Sequence, residues 1–557
     1  MRRGAQSNHG SPLRMRPRTA LAVFIVLGII HLWPLSIAPW RLSMNYHADA
    51  DYNAWAIAWI NRTLPTDPAS LFDANIFAPE DDTLAYSHPV VAPALFVAPL
   101  SWVGASPVLL FNVSMFGGLV LTAWATWWLV RQWTASDIAG LVSGALAAYN
   151  VHLLTRLAHV SAAHAWGLPL SLYLSDRLVR QPSRRHTILL ALVVAGTAGS
   201  SLYWLAIVMM IIAGRVLVGP WSRRGVLATV AAATGGLALV SPLLLPYVRL
   251  AQDGFRRPLS MVADFSAELT GYLSSTSVLH AGWSAGFYRD DVNALFAGVL
   301  ALALAALGAA VSIRNRATRR GALLLVSLAA SGIVLSLGPV TALYRWFYEW
   351  FLPLQGLRAV ARFGFLYLFA IAVMAGFGVA WLETRSRLTA HGMVAAGLLL
   401  IAGVTAEAWQ GPVRVDPFTG VPPIYSVVAG ADEPVLLVEV PFYPPDAVHF
   451  NGPYVLNSTA HWQPLMNGTS GATPQSYRDR AETFWYFPGD RAIQAIRESG
   501  ATLLMVHAER FEPHERPALR EALLEPRGLR LLAADPLGHS LYKVEPPEVD
   551  IVAEHGR

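Results

Sequence analysis

The sequence predicts a multi-pass α-helical membrane protein with about eleven transmembrane helices and a C-terminal soluble α/β domain. Of its 557 residues, 54% are hydrophobic and only 14% are charged. This composition is too apolar for a protein whose whole surface faces water. Arginine residues cluster in the short connections between long apolar segments. That arrangement is typical of membrane topology and argues against nucleic-acid binding.

The composition also excludes several kinds of site. The chain contains no cysteine, which rules out disulfides, thiolate catalysis and cysteine-based metal sites. It has no phosphate-binding glycine loop, no serine nucleophile elbow and no metalloprotease helix motif. Soluble nucleotide chemistry is therefore not expected.

The first predicted span covers residues 19–40, after an arginine-rich N-terminus (1–18) that is expected to be cytoplasmic. A cleaved signal peptide also begins with basic residues, but this segment is long and many spans follow it, which favours a spanning helix. Further spans are predicted at 106–130, 138–153, 160–178, 187–200, 202–219, 225–246, 292–312, 321–338, 364–383 and 391–408. The proline-broken stretch 88–104 is predicted to be re-entrant or interfacial. If it were a span, every later basic loop would lie on the opposite, external side of the membrane.

With a cytoplasmic N-terminus and these spans, every arginine-rich connection between spans falls on the cytoplasmic side. The membrane domain then covers 19–409, with a long first external loop at 41–105 and a second at 247–291. After Trp409 several prolines form a linker, and residues 410–557 are predicted to form an extracytoplasmic α/β domain. Its strands are expected at 435–440, 501–507, 529–535 and 540–544.

The first external loop begins with a candidate catalytic motif, His47-Ala48-Asp49-Ala50-Asp51. Carboxylates at the point where a helix leaves the membrane are partly desolvated, which raises the pKa of one and suits it to general-base catalysis. The alternative is that Asp49 and Asp51 are solvated loop acids, one of which caps the following helix.

The same loop holds a candidate metal site. Glu80, Asp81 and Asp82 are consecutive acids, and His88 follows them closely. Oxygen ligands of this kind bind hard divalent cations, so Mg²⁺ or Mn²⁺ is the candidate cofactor. The alternative is a solvated acidic turn without a metal.

A candidate anion site lies at the outer end of a late span. Arg358 and Arg362 are four residues apart and would share one face of a helix, where they could grip a lipid phosphate. The alternative is a pair of interfacial arginines that reach toward water. Arg256, Arg257 and Arg345 are weaker candidates for the same role.

Two further groups of side chains are candidates for a functional role. His152, Arg156, His159 and His164 form an external cluster that could relay protons or contact a phosphate, although packed histidines are more common. In the tail, His461, Trp462, Tyr477, Phe484, Trp485, Tyr486 and Phe487 either stack on sugar rings or pack the domain onto the membrane part.

Several motifs resemble the GT-C superfamily of integral membrane glycosyltransferases, in particular a bacterial branch with a C-terminal extracytoplasmic domain. The resemblance rests on 47–52, on Asn75-Ile76-Phe77-Ala78-Pro79 with 84–87 after it, and on 357–363. In the tail it rests on Glu439-Val440-Pro441-Phe442 and Pro464-Leu465-Met466-Asn467-Gly468.

The resemblance implies a GT-C-like membrane domain in the bacterial plasma (inner) membrane and an inverting hexosyltransferase activity. It implies a polyprenyl-phosphate sugar donor, a saccharide, lipid or protein acceptor, and no nucleic-acid partner. Asp49 or Asp51 would be the general base, with Asp49 slightly preferred, and Arg358 and Arg362 would bind the donor phosphate. His47, His88, His159, Asp264 and Glu268 would line the site; the last two stand where better-known members have a clearer second acidic motif.

Two other functions remain open at this point. A transporter or flippase of lipid-linked saccharides would use the same arginines without breaking a bond. The scarcity of charges inside the spans and the lack of repeated halves favour the enzyme. The third possibility is a noncatalytic envelope-assembly protein whose tail is a binding module.

Overall fold

The computed structural model describes residues 15–44, 46–219, 222–290 and 293–547. The chain divides into two compact units. The first unit contains residues up to Pro39, Pro89–Phe96 and Asn112–Arg414. The second unit contains Trp40–His88, Val97–Phe111 and the chain from Val415 onward.

Most of the first unit is helical. Its longer helices are Pro17–His31, Val91–Trp102, Pro107–Thr134, Asp137–Ala148, Gly167–Arg180, Arg184–Ala198, Leu202–Val218, Arg223–Gln252, Val299–Arg314, Arg319–Ser336, Gly364–Arg385 and Ala390–Ala408. Residues 97–102 and 107–111 of two of these helices belong to the second unit. Shorter helices are Val151–Leu154, Val160–Ala163, Leu259–Asp264, Ala281–Ser284, Ala342–Trp350 and Leu352–Gln355.

Five helices within the described ranges are long and apolar enough to cross a membrane: Pro107–Thr134, Arg223–Gln252, Arg319–Ser336, Val360–Arg385 and Ala390–Ala408. Five apolar helices are shorter, at Pro17–His31, Val91–Trp102, Asp137–Ala148, Leu202–Val218 and Val299–Arg314. A multi-helix membrane part is therefore present. The number of about eleven spans, which came from apolar segment lengths, stays a prediction.

Two predicted spans are interrupted. The segment predicted at 138–153 breaks after Asp137–Ala148, where the Asn150 side chain accepts a hydrogen bond from the Leu153 amide (3.0 Å) and starts a new short helix. The segment at 160–178 is likewise divided into Val160–Ala163 and Gly167–Arg180. At the second break the Thr122 hydroxyl donates to the Ala163 carbonyl (2.9 Å), a group that an unbroken helix would pair internally.

Small residues allow the helices of the first unit to pack closely around Gly364–Arg385. A Cβ atom at Gly308 would collide with the Met374 carbonyl, and one at Gly378 would collide with the Leu304 carbonyl. These glycines let Val299–Arg314 and Gly364–Arg385 cross at backbone contact, as in other tightly packed membrane helices.

A four-stranded sheet forms the centre of the second unit. Two short strands, β1 (Leu42–Ser43) and β2 (Asp416–Pro417), pair with each other and are not part of it. The four-stranded sheet consists of β3 (Leu437–Val440), β4 (Leu503–His507), β5 (Leu529–Ala534) and β6 (His539–Val544). The sheet order is β3-β4-β6-β5, with β3 parallel to β4 and the other pairs antiparallel. The strands overlap the segments predicted from the sequence.

The helices of the second unit come from both ends of the chain. They are Ala48–Thr63, Tyr425–Ala429, Gly452–Asn457, Gln475–Phe484, Asp490–Glu498 and Arg516–Ala522. The first of them packs against Gly452–Asn457, where a Cβ atom added to Gly452 would lie 3.2 Å from the Ala48 Cα. The first loop and the tail thus share one compact unit.

The sequence motifs that carry the resemblance pair with one another in this unit. The Phe77 amide donates to the Asn467 carbonyl (3.0 Å), and the Leu465 amide donates to the Asn75 carbonyl (2.8 Å). The Asn467 side chain accepts from the Glu439 amide (2.7 Å) and donates to the Glu439 carbonyl (2.9 Å). Three segments far apart in sequence therefore form one hydrogen-bonded cluster.

Candidate functional site

The two candidate catalytic aspartates lie in the first turn of the helix Ala48–Thr63. His47 is the N-cap residue, and its Nδ1 accepts a hydrogen bond from the Asp49 amide (3.3 Å). The Asp49 carboxylate lies 3.6 Å from the same Nδ1, and its side chain is 46% exposed. Asp49 and His47 thus form an exposed pair that stabilises the start of the helix.

Asp51 has a different environment. It is 1% exposed, and neither of its carboxylate oxygens has a hydrogen-bond partner in the described part of the chain. Burial raises the pKa of Asp51 to about 7, although the positive charge of Arg510 acts in the opposite direction. A buried carboxyl group without hydrogen bonds is costly in a folded protein, which makes Asp51 a candidate functional residue.

Arg510 is the charged residue that acts on Asp51, and it lies outside every motif of the sequence. It ends the 3₁₀ turn Ala508–Arg510, which follows strand β4. Its guanidinium lies 5.0 Å from the centre of the Tyr454 ring and 3.7 Å from the Glu509 carboxylate. No local pattern marks this arginine, because only the folded sheet brings position 510 near position 51.

The acidic residues of the first loop lie elsewhere in the second unit. Asp81 is exposed, and Glu80, Asp82 and His88 are partly exposed. The Asp82 amide donates to Asp73 Oδ1 (3.0 Å), and the charge of Glu80 acts on Arg480. Among the described residues, three histidine and acidic side chains lie close enough together to hold a metal ion, and none of these four residues is among them. The metal role of Glu80, Asp81 and Asp82 stays a prediction.

Arg358 and Arg362 belong to the first unit, and the expectation that they share a helical face is wrong. Only 360–363 forms a short 3₁₀ turn, and Ala359 before it has non-helical angles (φ −91°, ψ 69°). The Ala359 amide donates to the Tyr203 hydroxyl (2.7 Å) instead of to a helical carbonyl. That side-chain partner holds the segment away from a helix.

The two arginines nevertheless stay close to aromatic rings. Arg362 is buried, and its guanidinium lies 4.8 Å from the centre of the Tyr203 ring. Arg358 is partly exposed and lies 4.9 Å from the centre of the Phe265 ring. Both guanidinium groups keep cation–π contacts that orient them.

Arg257, which the sequence offers as a weaker candidate, adds a third cation to this region. It is 9% exposed, whereas its neighbour Arg256 and the other weak candidate Arg345 are exposed. Burial, and next the positive charge of Arg358, lower the pKa of Arg257 to about 10, which leaves it charged at neutral pH. No carboxylate lies within 4 Å of Arg257 or Arg358 in the described ranges.

The remaining predicted site residues are spread over the first unit. His159 is partly exposed at the start of Val160–Ala163. Asp264 and Glu268 are exposed, and the Glu268 carboxylate pairs with the Arg289 guanidinium at 2.5 Å. His152 and His164 are buried; His164 Nε2 lies 2.9 Å from the Ser114 carbonyl.

The tail aromatics divide between the interior and the surface of the second unit. His461, Tyr477, Phe484 and Phe487 are buried, whereas Trp485 and Tyr486 are 46% and 71% exposed. Trp462 packs on Trp59, with the ring centres 5.9 Å apart, and under the Arg62 guanidinium at 5.3 Å. Most of this set therefore packs the unit itself, and Trp485 and Tyr486 are the two large exposed rings among the seven.

Comparison with solved structures gives consistent matches across nearly the whole chain. The arabinofuranosyltransferase AftD from Mycobacteria matches with a TM-score of 0.62 at 17% identity, over 97% of this chain and 40% of that one. A mutant of AftD matches with a TM-score of 0.63 at 19% identity, over 96% and 42%. This chain thus spans less than half the length of AftD.

A weaker match is the oligosaccharyltransferase AglB from Archaeoglobus fulgidus, with a TM-score of 0.46 at 12% identity over 96% of this chain and 75% of that one. No family model matches the sequence, and no curated protein is similar to it at a significant level. At these identities the AftD likeness concerns the fold. The chain therefore shares the fold of the part of AftD that it matches, in agreement with the resemblance of its sequence motifs.

Proposed function

We propose that this protein is an inverting membrane glycosyltransferase that moves a sugar from a polyprenyl-phosphate donor to an extracytoplasmic acceptor in cell-envelope synthesis. The observation that carries the catalytic assignment is the buried Asp51 carboxyl group, which has no hydrogen-bond partner in the described chain and a pKa of about 7. A base of that pKa accepts a proton efficiently at neutral pH.

In the proposed reaction Asp51 takes the proton of an acceptor hydroxyl. The acceptor oxygen forms a bond to the anomeric carbon, through an oxocarbenium-like state, while the bond from that carbon to the phosphate oxygen breaks. The electron pair leaves with the polyprenyl phosphate. Binding of the hydroxyl also gives Asp51 the hydrogen bond that it otherwise lacks.

Asp51, rather than Asp49, is the base in this proposal. The Asp49 carboxylate is half exposed and already faces the cap residue His47. The Asp51 carboxyl group is buried instead, and burial raises its pKa. The slight preference for Asp49 from the sequence rested on motif position alone.

The arginines of the first unit are proposed to bind the departing phosphate. Arg257, Arg358 and Arg362 concentrate positive charge around Tyr203. For Arg257 and Arg358 no carboxylate within 4 Å neutralises that charge in the described ranges. Fixed cations of this kind stabilise the charge that develops on a leaving phosphate.

The test uses purified protein and radiolabelled polyprenyl-phosphate sugars. Because AftD is an arabinofuranosyltransferase, a pentofuranosyl donor is included beside the hexosyl donors. We expect release of polyprenyl phosphate together with transfer of label, loss of at least about 100-fold in rate for Asp51→Asn, and a much smaller change for Asp49→Asn. Full activity of Asp51→Asn contradicts the assignment.

The same assay separates the enzyme from a flippase. A flippase moves the intact donor between leaflets of a vesicle and releases no polyprenyl phosphate. Transfer of label to an acceptor with loss of the phosphate bond supports the enzyme. Donor translocation without bond cleavage supports the flippase.

A binding measurement tests the arginines separately from the chemistry. We expect Arg257→Gln to weaken donor binding by about tenfold or more, since it removes a buried cation. Arg256→Gln is the matched control, because it removes a neighbouring but exposed arginine. Equal affinity of the two variants contradicts the phosphate role of Arg257.

A further inference from the structure

A second cluster of ionisable side chains lies at the end of the sheet in the second unit. His507 in β4 and His539 in β6 are direct cross-strand partners. Such partners point to the same face of a sheet, and the two imidazole rings are 4.9 Å apart between centres. Glu509 follows in the turn Ala508–Arg510, so three potential metal ligands come from adjacent segments.

The distances between these groups suit a single ion. His539 Nε2 lies 3.4 Å from Glu509 Oε1, and His507 Nδ1 lies 3.7 Å from the same oxygen. All three ligand atoms lie within 4.8 Å of one another. Tetrahedral Zn²⁺ with bonds of about 2.0–2.1 Å separates its ligand atoms by about 3.3 Å. Two of the three distances are already close to that value.

Each histidine is held by a second carboxylate on its far side. His507 Nε2 lies 2.6 Å from Glu439 Oε2, and His539 Nδ1 lies 2.7 Å from Asp535 Oδ2. A carboxylate at one ring nitrogen fixes the proton there and leaves the lone pair of the other nitrogen for a metal. This arrangement presents His507 Nδ1 and His539 Nε2 on the side of Glu509.

The ligand atom of His507 is unsatisfied without an ion. The His507 side chain is 2% exposed, and its Nδ1 has no hydrogen-bond partner in the described part of the chain. Buried ring nitrogens normally have a partner, so the lone pair of this atom is available to a ligand. The observation is independent of the acidic residues of the cluster.

We propose that His507, Glu509 and His539 bind a divalent transition metal ion, with Zn²⁺ as the ion that this donor set fits best. Two imidazole nitrogens and one carboxylate favour Zn²⁺ over Mg²⁺ or Ca²⁺, which prefer oxygen ligands. Water or a substrate group completes the coordination. The site is separate from Glu80, Asp81 and Asp82.

A metal ion bound to Glu509 would also affect the next residue of the same turn, Arg510. Arg510 comes directly after Glu509, and its positive charge acts on Asp51. A metal that holds Glu509 also fixes the backbone from which Arg510 projects. The significance of this effect for catalysis rests on the proposed function, in which Asp51 is the base. Metal binding itself does not depend on that proposal.

Metal binding is measured on the full-length protein in detergent, purified with a tag that contains no histidine and stripped with a chelator. Calorimetry with Zn²⁺ and visible absorption with Co²⁺ are the two readouts. We expect one saturable equivalent and a Co²⁺ spectrum of low coordination number with nitrogen ligands. Absence of a saturable equivalent in the wild-type protein overturns the proposal, without reference to any variant.

Variants locate the ion. We expect His539→Ala and Glu509→Gln to abolish the saturable equivalent, and Asp535→Asn to weaken it by about 10- to 100-fold, because it removes the support of a ligand. His514→Ala removes an exposed histidine outside the cluster and is the matched control. Unchanged affinity in His539→Ala or Glu509→Gln overturns the assignment. Failure of sugar transfer in Asp51→Asn with normal Zn²⁺ binding shows that the two proposals are separable.

Discussion

The two aspartates that open the first loop differ in burial although they are two residues apart. Asp49 is 46% exposed and lies beside His47, whereas Asp51 is 1% exposed. Successive odd positions of a helix lie about 200° apart, so one faces water when the other faces the packed side. The helical phase of Ala48–Thr63 therefore decides which of the two acids is buried.

The raised pKa of Asp51 predicts a pH-dependent stability. Its pKa is about 7 in the folded protein and 3.8 in the unfolded chain, so between these values the folded state holds the proton more tightly. Stability then falls as the pH rises through this window, by up to about 4 kcal/mol at pH 8. We expect Asp51→Asn to melt at a higher temperature than wild type at pH 8 and at the same temperature near pH 4.

Thermal unfolding in detergent at a series of pH values checks this expectation. Asp49→Asn is the control, because it removes an exposed acid from the same turn, and surface substitutions of this kind change the stability little. An Asp51→Asn variant that is less stable than wild type at pH 8 contradicts the argument. It would mean that the folded protein stabilises the Asp51 carboxylate.

Residue patterns found some candidate groups and missed others for a physical reason. Asp51 was found because its motif lies where a predicted helix follows a span. Arg510 and His507 were missed because nothing within their own segments distinguishes them from ordinary strand-end residues. Arg510 acts on Asp51 at the other end of the chain, and His507 contacts Glu439 and His539 on other strands. Periodicity and spacing do not report such contacts between distant segments.

At the scale of elements, helix crossings in the first unit depend on particular glycines. Gly308 faces the Met374 carbonyl so closely that any Cβ would collide with it. We expect Gly308→Leu to destabilise the protein by about 1–3 kcal/mol or more, because backbone atoms cannot move aside as a side chain can. The measurement is the melting temperature in detergent and the monodisperse fraction on size exclusion.

Gly321→Leu provides the matched control for this change. Gly321 also lies in a helix of the first unit, Arg319–Ser336, but no heavy atom lies within 4 Å of a Cβ built there. We expect its melting temperature to stay near the wild-type value. Equal losses in the two variants would show that the crossing at Gly308 tolerates a side chain.

Elements were predictable where a strong apolar pattern defines them. Long helices such as Arg223–Gln252 and strands such as Leu503–His507 lie where the sequence indicated. The break at Asn150 and the non-helical 357–359 differ from prediction, because single side chains there capture backbone amides. Such local hydrogen bonds determine the backbone conformation even where the apolar periodicity of the sequence predicts a helix.

At the scale of the whole molecule, two segments far apart in sequence share one unit. The first loop contributes Trp40–His88, and the tail contributes the chain from Val415 onward. The backbone bonds of Asn75 and Phe77 to 465–467 tie them together. Both segments must therefore reach the same side of the membrane, whichever side that is.

Cysteine labelling tests this requirement and the predicted orientation together. The chain has no cysteine, so a single introduced thiol gives a clean signal. Asp81 in the first loop, Leu524 in the tail and Arg316 in an arginine-rich connection are all exposed. Since arginine-rich connections stay in the cytoplasm, a membrane-impermeant maleimide should label Asp81→Cys and Leu524→Cys from outside intact cells. It should label Arg316→Cys only after the membrane is permeabilised.

Labelling of Asp81→Cys and Leu524→Cys from opposite sides would contradict the shared unit. Labelling of Arg316→Cys from outside would instead mean that the orientation in the membrane is inverted, and it would leave that unit intact.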